Sequence, residues 1–535
     1  LKGLLLTYGK HGNSIISFSL DYFGKDPQIA VCFAVTGLLD GRLPIIIIEN
    51  LFESEQQSML FEKLDNISYY TYKKDSYYVK HNFIYDAMKS NISPRIKYIA
   101  AEKILQYAQS SEIPFQLSEE KNFELLYLTG KYQKALERWN ILAADLHREH
   151  HFYSIIKYGA MAIECYDNME IEDKDINVQI DIITSILDAY LQIRIFNTEN
   201  FNELMLQFET ISNLNKYTAV GSALKAKYLF YKWNRLFYNA NIEESYNEII
   251  KAKKIVDGGK VSDKTLCANI YWSYALSHKR KTSIEQAIED YKTGLKKYPD
   301  SVMLKIGLNL HEAHTYLRKN PSKVIKICEN LLNDIKGEDC PYNEILQIRV
   351  DIIMAKFYDQ RYQEVLYECE DLLQIAKSIN AVYQIGRLFN IYAACLLALQ
   401  RIDEAEACFM RSYNEFQKSG NILFGWRAIF NLSQLILEKG QRKKALNNFL
   451  KLFNNGIPNI SERISDLTLE NSEMVAFLYT VRILKENGQY KENELTKKFC
   501  MNKIYMYEIE LNDEDFFQSL SQLSYMHNNY LIILG

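Results

Sequence analysis

Residues 268–301 read ANIYWSYALSHKRKTSIEQAIEDYKTGLKKYPDS, and this stretch decides the fold. The stretch reads as two antiparallel helix-forming segments. Where two antiparallel helices cross, only small side chains fit, and Ala275 and Ala287 stand one on each segment. Tyr291 fills the gap beside them. Pro299 stops the second segment, because it has no N–H to donate and its ring clashes with the preceding turn. The unit is a helical hairpin too small to bury its own apolar face, so it needs neighbours on both sides.

The neighbours are in the sequence. The pattern recurs at Ala393, Ala405, Phe409 and Ser412, and again at Ser433, Ala445 and Phe449. Weaker copies centre on Leu204 with Phe208, Ser245 with Ile249, Val324 with Cys328, and Val365 with Cys369. Equivalent positions fall at 204, 245, 287, 324, 365, 405 and 445, a step close to 40 residues. Ala275, Ala287, Tyr291, Gly294 and Pro299 resemble the signature of the tetratricopeptide repeat. The expected fold is all-α: a tetratricopeptide-like right-handed superhelix over residues 116–535, ending in a divergent pair around Gly488-Gln489-Tyr490.

Composition agrees. Apolar residues make up 48% and charged residues 24%, which marks a folded chain. Only 21 glycines and 8 prolines are spread over 535 residues, so long uninterrupted helices are expected. A net charge of −4 provides no general attraction to nucleic acid or an anionic membrane. The nine cysteines include no CxxC pair and read as buried free thiols of a reducing, cytoplasmic compartment. The longest apolar runs, 29–39 and 43–48, are too short to span a bilayer.

Residues 1–115 differ from the rest and form the first expected domain. Segments 25–39, 44–52 and 54–65 read as helices, the third with Ser54 as N-cap. Two aromatic runs, 67–72 and 77–81, flank Lys-Lys-Asp-Ser and read as a β-hairpin. Helices followed by a hairpin are a winged-helix pattern.

On two stretches the chain resembles a family. LLYLTGKYQKALERWNILAADLHREHHFYSIIKYGAMAIECY (125–166) and YYVKHNFIYDAMKSNISPRIKYIAAEKILQYA (77–108) are similar to the junction and winged-helix end of STAND signal-transduction ATPases. That resemblance implies a nucleotide-binding core, a winged helix and a repeat sensor in order. It implies that His81 reaches the β-phosphate of bound ADP. Asn82 stands where the family has aspartate, and it caps a helix without the charge. No P-loop is present: Gly9-Lys10-His11 lacks both the upstream glycine and the hydroxyl. The resemblance therefore places any ATPase core, with its ADP or ATP and its oligomerisation, upstream of Leu1, and leaves this chain without a cofactor of its own.

Few other residues carry chemistry. The candidate recognition helix, 53–65, holds Glu53, Glu55, Glu62 and Asp65 against Lys63, which argues against DNA. His147 and His151 share a helix face beside His150, but no third metal ligand accompanies them. No GxSxG, HExxH, kinase or dinucleotide motif occurs, so no catalysis is expected. Tyr228–Tyr238 reads as packing between hairpins rather than a cofactor box, and equally as an exposed aromatic patch for a partner. The tetratricopeptide template places Asn269, Trp272, Lys279, Arg387, Asn390, Arg427, Asn431 and Gln434 on the inner face. Guanidinium and amide groups there suit the backbone and carboxylates of a peptide. The expected function is a non-catalytic sensor that binds a protein or peptide in this groove and controls an upstream ATPase. The alternatives are a stand-alone scaffold and a peptide-responsive transcription regulator.

Overall fold

The computed structural model describes residues 26–452 except 68–69, 81–84, 87, 89–91, 111–116, 197, 215–218, 240, 318, 337–339, 341 and 421, with scattered residues at 476–489 and 525–534. Gly9-Lys10-His11, His81, Asn82, Tyr490 and Cys500 lie outside the described residues. Among the described residues the fold is all-α apart from two small sheets, and its helices are tetratricopeptide-like hairpins. Two compact units divide at 185/186.

The first unit opens with α1 (Pro27–Leu38), β1 (Arg42–Pro44), α2 (Ile45–Leu51), α3 (Ser54–Asn66), β2 (Tyr70–Tyr72) and β3 (Ser76–Val79). Asp26 caps α1, its carboxylate accepting from Gln28 N at 2.9 Å. The strands form an antiparallel sheet in the order β1-β3-β2. Between β2 and β3, Lys74 and Asp75 both have positive φ (50° and 58°), the backbone of a tight hairpin turn that matches strand twist. The hairpin stands where the aromatic runs predict it. Strand β1 is not legible in the sequence, because Arg42-Leu43-Pro44 is too short to alternate. Ser54 is the first helical residue rather than the cap, and Glu53 caps α3 without a side-chain bond. Next come α4 (Pro94–Ser110), α5 (Glu119–Leu128), α6 (Tyr132–Arg148) and α7 (Phe152–Asp167). His150, at φ 61°, ends α6, and its ring and that of His147 pack on Phe152.

In the second unit, α8 (Ile176–Ile193), which begins before the boundary, supplies its last two turns, followed by α9 (Glu199–Leu214). Six hairpins follow: α10 (Ala219–Tyr238) with α11 (Ile242–Asp257), α12 (Lys264–Lys281) with α13 (Ile284–Lys297), α14 (Val302–His314) with α15 (Pro321–Asp334), α16 (Tyr342–Tyr358) with α17 (Tyr362–Ser378), α18 (Val382–Ala398) with α19 (Ile402–Lys418), and α20 (Ile422–Glu438) with α21 (Arg442–Lys451). A second sheet pairs β4 (Tyr525–His527) with β5 (Tyr530–Ile532).

The repeat positions are the core. Leu204, Ser245, Ala287, Val324, Val365, Ala405 and Ala445 are all buried, and the residues four further on (Phe208, Ile249, Tyr291, Cys328, Cys369, Phe409 and Phe449) are fully inaccessible. Helix starts are capped by Asp263, Ser283, Ser301 and Asn320. Close crossings require glycine twice. A Cβ on Gly307 would lie 2.8 Å from Tyr291 Cζ and 2.9 Å from Trp272 Cδ1, and one on Gly386 would meet the Phe416 ring at 2.9 Å. Helix ends in the left-handed region recur at Gln360, Gln400 and Gly440, where consecutive hairpins turn. Tyr228–Tyr238 packs as expected: Trp233 is fully buried, and its indole N–H donates to Ser277 Oγ at 2.7 Å. The eight described cysteines are free thiols, and all but Cys340 are buried.

Candidate functional site

Each hairpin contributes its first helix to one layer and its second to the other. First helices pack side by side: α12 on α14, α16 on α18. The residues that the template selects stand on first helices of these hairpins. Asn269, Trp272 and Lys279, on α12, are half-buried. Arg387 and Asn390 on α18, and Arg427, Asn431 and Gln434 on α20, are buried to 5% exposure or less. Sequence reasoning expects an open groove at these positions; here the inner face is covered, and α18 is inaccessible without a break from Tyr383 to Ile391. A helix inaccessible on every face has structure on every side.

Two things cover it. The repeat array curls until distant hairpins meet: the Asn343 amide donates to the Gln192 carbonyl, and Arg194 pairs with Glu344 at 2.9 Å. The Arg194 guanidinium also lies over the Tyr383 ring, 4.5 Å from its centroid, and α10 touches α20. The second cover is the 525–534 segment. Strand β5 packs on α20, and Leu534 is buried in the cluster that contains Ile391 and Phe430. Asn390 Nδ2 donates to the Leu534 carbonyl at 3.2 Å.

The polar groups fall into two hydrogen-bonded sets. Asn431 Nδ2 donates to Asn390 Oδ1 at 3.0 Å, across a separation of 41 residues, one repeat. Deeper in, Asp351 is fully buried and accepts from Arg387 Nη2 at 2.9 Å, from Gln347 Nε2 at 3.1 Å and from His314 Nε2 at 3.2 Å. Burial pushes the Asp351 carboxyl up, but Arg387 and His314 outweigh it and hold the group well below its ordinary value of 3.8. Arg387 Nε and Nη1 face the interior without a protein acceptor. Its guanidinium therefore has donors to spare beyond the Asp351 pair. Sequence reasoning finds Arg387 and misses Asp351, His314 and Arg194. Their signal is absent, because a lone acid or amide inside an apolar helix looks like a surface residue until its partner is brought to it.

A further chain links Asp290, His278 and Tyr246: His278 Nδ1 meets the Asp290 carboxylate, and its Nε2 lies 2.5 Å from Tyr246 Oη. Burial raises the Tyr246 pKa. Among the described residues no group of three or more His, Cys, Asp or Glu side chains is placed to hold a metal ion, and no helix is long and apolar enough to cross a membrane. In the first unit, α3 presents Glu53, Glu55, Glu62 and Asp65 to solvent, and its Lys63 pairs with Asp26 at 2.6 Å. That surface repels phosphate.

No protein-family model matches the chain, and no curated protein matches its sequence. Its similarities are to solved structures. The crystal structure of a Rap protein complexed with competence and sporulation factor is 13% identical, covering 76% of this chain and 96% of that one, with a TM-score of 0.31. A signal-transduction ATPase with numerous domains from Pyrococcus horikoshii, bearing a tetratricopeptide repeat sensor, is 13% identical over 92% of this chain and 64% of that one, with a TM-score of 0.33. The human IFIT1 dimer with m7Gppp-AAAA is 12% identical over 76% and 96%, with a TM-score of 0.35. All three are tetratricopeptide-like helical repeat proteins.

Proposed function

We propose that residues 186–535 form a non-catalytic binding module that holds an extended protein or peptide segment against the inner face of α16, α18 and α20. One observation carries this reading: Asn390 already grips the backbone carbonyl of an extended segment, and Asn431 stands one repeat further on with its amide in the same hydrogen-bonded set. An asparagine side chain presents one donor and one acceptor to a peptide backbone, so it recognises an extended chain whatever its side chains are.

The regulatory half of the proposal concerns residues 1–115, taken as a winged-helix-like domain ahead of repeats at 116–535. Support comes from the helix–strand–helix–helix–hairpin order of residues 27–79 and from the resemblance to STAND ATPases at 77–108 and 125–166. In this reading, ligand capture by the repeats alters an ATPase core joined upstream, whose ADP contacts His81. A ligand drives such a switch by binding one state more tightly, and a few kcal/mol suffices.

An array of apolar decapeptides tests the binding module. Peptides should be retained by the intact protein and lost on Asn390→Ala with Asn431→Ala, with the circular dichroism spectrum unchanged. Equal retention by the variant rejects the inner face as the site.

A further inference from the structure

The peptide face is already occupied, and the occupant is part of this chain. We infer that the 525–534 segment is an internal competitor: it sits where the ligand binds, and the ligand is an extended apolar peptide that displaces it. This rests on the binding reading above and adds the regulation of that site and the chemistry of its partner.

Four observations converge. Asn390 spends its amide N–H on the Leu534 carbonyl, across 144 residues of sequence, and this is the group that a peptide backbone would take. Leu534 is 3% exposed and belongs to the same apolar cluster as Ile391 and Phe430, so this residue contributes to the core of the site. Strand β5 packs on α20, the helix that carries Arg427, Asn431 and Gln434. The sequence of the segment, Tyr530-Leu531-Ile532-Ile533-Leu534, is uncharged and rich in β-branched residues, the composition of an extended apolar ligand.

The segment is also suited to leave. Among the described residues its sheet pairs Tyr525–His527 with Tyr530–Ile532 and no other strand. A hairpin of two short strands has little stability of its own and persists through the surface it rests on. Tethering raises its local concentration to the order of 1 mM. A segment that binds in trans with a Kd of roughly 100 μM would then fill the site about nine-tenths of the time and weaken a competing peptide about tenfold. A ligand must exceed that threshold, which makes the site selective for peptides that match the segment's chemistry better than the segment itself.

The test uses a fluorescein-labelled peptide of sequence YMHNNYLIIL, residues 525–534, added in trans. The intact chain and a variant lacking 525–535 are compared by fluorescence anisotropy, with a scrambled peptide as control. The truncated protein should bind the native-order peptide at least tenfold more tightly than the intact chain does, and Asn390→Ala in the truncated protein should weaken that binding at least fivefold. Equal affinity in intact and truncated protein overturns the inference, as does equal binding of the scrambled peptide. Because truncation removes part of the core, Leu534→Asp in the full-length chain provides a second route. It should raise both peptide affinity and amide hydrogen exchange across 525–534, and no change in either refutes the internal occupant. If the truncated protein retains peptides of the apolar array in an Asn390-dependent way yet ignores YMHNNYLIIL, the competitor inference fails while the binding module stands. If it retains none of them, both fail.

Discussion

Replacing Arg387 with leucine removes the cation from a fully buried carboxylate and changes little else in volume. Asp351 keeps only the Gln347 amide at 3.1 Å and His314 at 3.2 Å. Stripping one partner from a buried ion pair costs about 3–5 kcal/mol, because the remaining charge is neither hydrated nor compensated. With a urea slope of about 2 kcal/mol per M, the unfolding midpoint should fall by about 2 M. The effect should depend on pH with a defined sign. In the native protein the Asp351 carboxyl lies below its ordinary 3.8, so its ionised pair contributes stability above that pH and loses the contribution as pH falls through and below it. In Arg387→Leu the largest charge that offsets burial is gone and His314 alone opposes it, so the folded-state pKa rises from its depressed position. The carboxylate then contributes less stability at neutral pH and has less to lose on acidification. The gap between the two proteins should therefore narrow from pH 7 to pH 4. Adding Asp351→Leu to Arg387→Leu should recover most of the loss, since no orphaned charge remains. Urea titrations followed by circular dichroism at both pH values measure all three proteins. A loss below about 1 kcal/mol, or one that is the same at pH 7 and pH 4, would refute the account of this pair.

Three smaller experiments test the frame around the site. Gly307→Ala should destabilise by about 1–3 kcal/mol, because its Cβ would press on Tyr291 and Trp272; an unchanged melting curve contradicts the crossing geometry. Gln400→Gly should stabilise by about 0.5–1 kcal/mol, since Gln400 holds φ at 63° where a side chain is strained, and a loss of stability in thermal unfolding would count against that turn. Ala405→Trp should overpack the fully buried crossing of α18 and α19 at a cost of about 1–3 kcal/mol or more, read as a lower melting temperature; tolerance of the indole would place residue 405 elsewhere.

Inner-face variants need reading with burial in mind. With Arg387 and Arg427 buried to 5% and 2% exposure, alanine at both positions lowers stability as well as any affinity. Substitutions at Asn269, Trp272 or Lys279, which are half-buried, perturb the surface with less damage to the core.

The sequence by itself determined the hairpins, their period and their crossings. Ala287, Ala405 and Ala445 were legible because a helix crossing is a local constraint: two backbones a few ångströms apart exclude large side chains, and the same constraint recurs in every unit. The β-hairpin at residues 70–79 was legible for the same local reason, through its aromatic strands and tight turn. The sequence also placed Arg387, Asn390, Arg427, Asn431 and Gln434 on the inner layer. Whether that layer is open or covered depends on how far the array curls and on where a segment 144 residues away comes to rest. Curl accumulates from small rotations at every interface, and no single residue encodes it. The pairing of Arg194 with Glu344, of Asp351 with Arg387, and of Asn390 with the Leu534 carbonyl therefore exists only in three dimensions, where surface-like charges become a buried network.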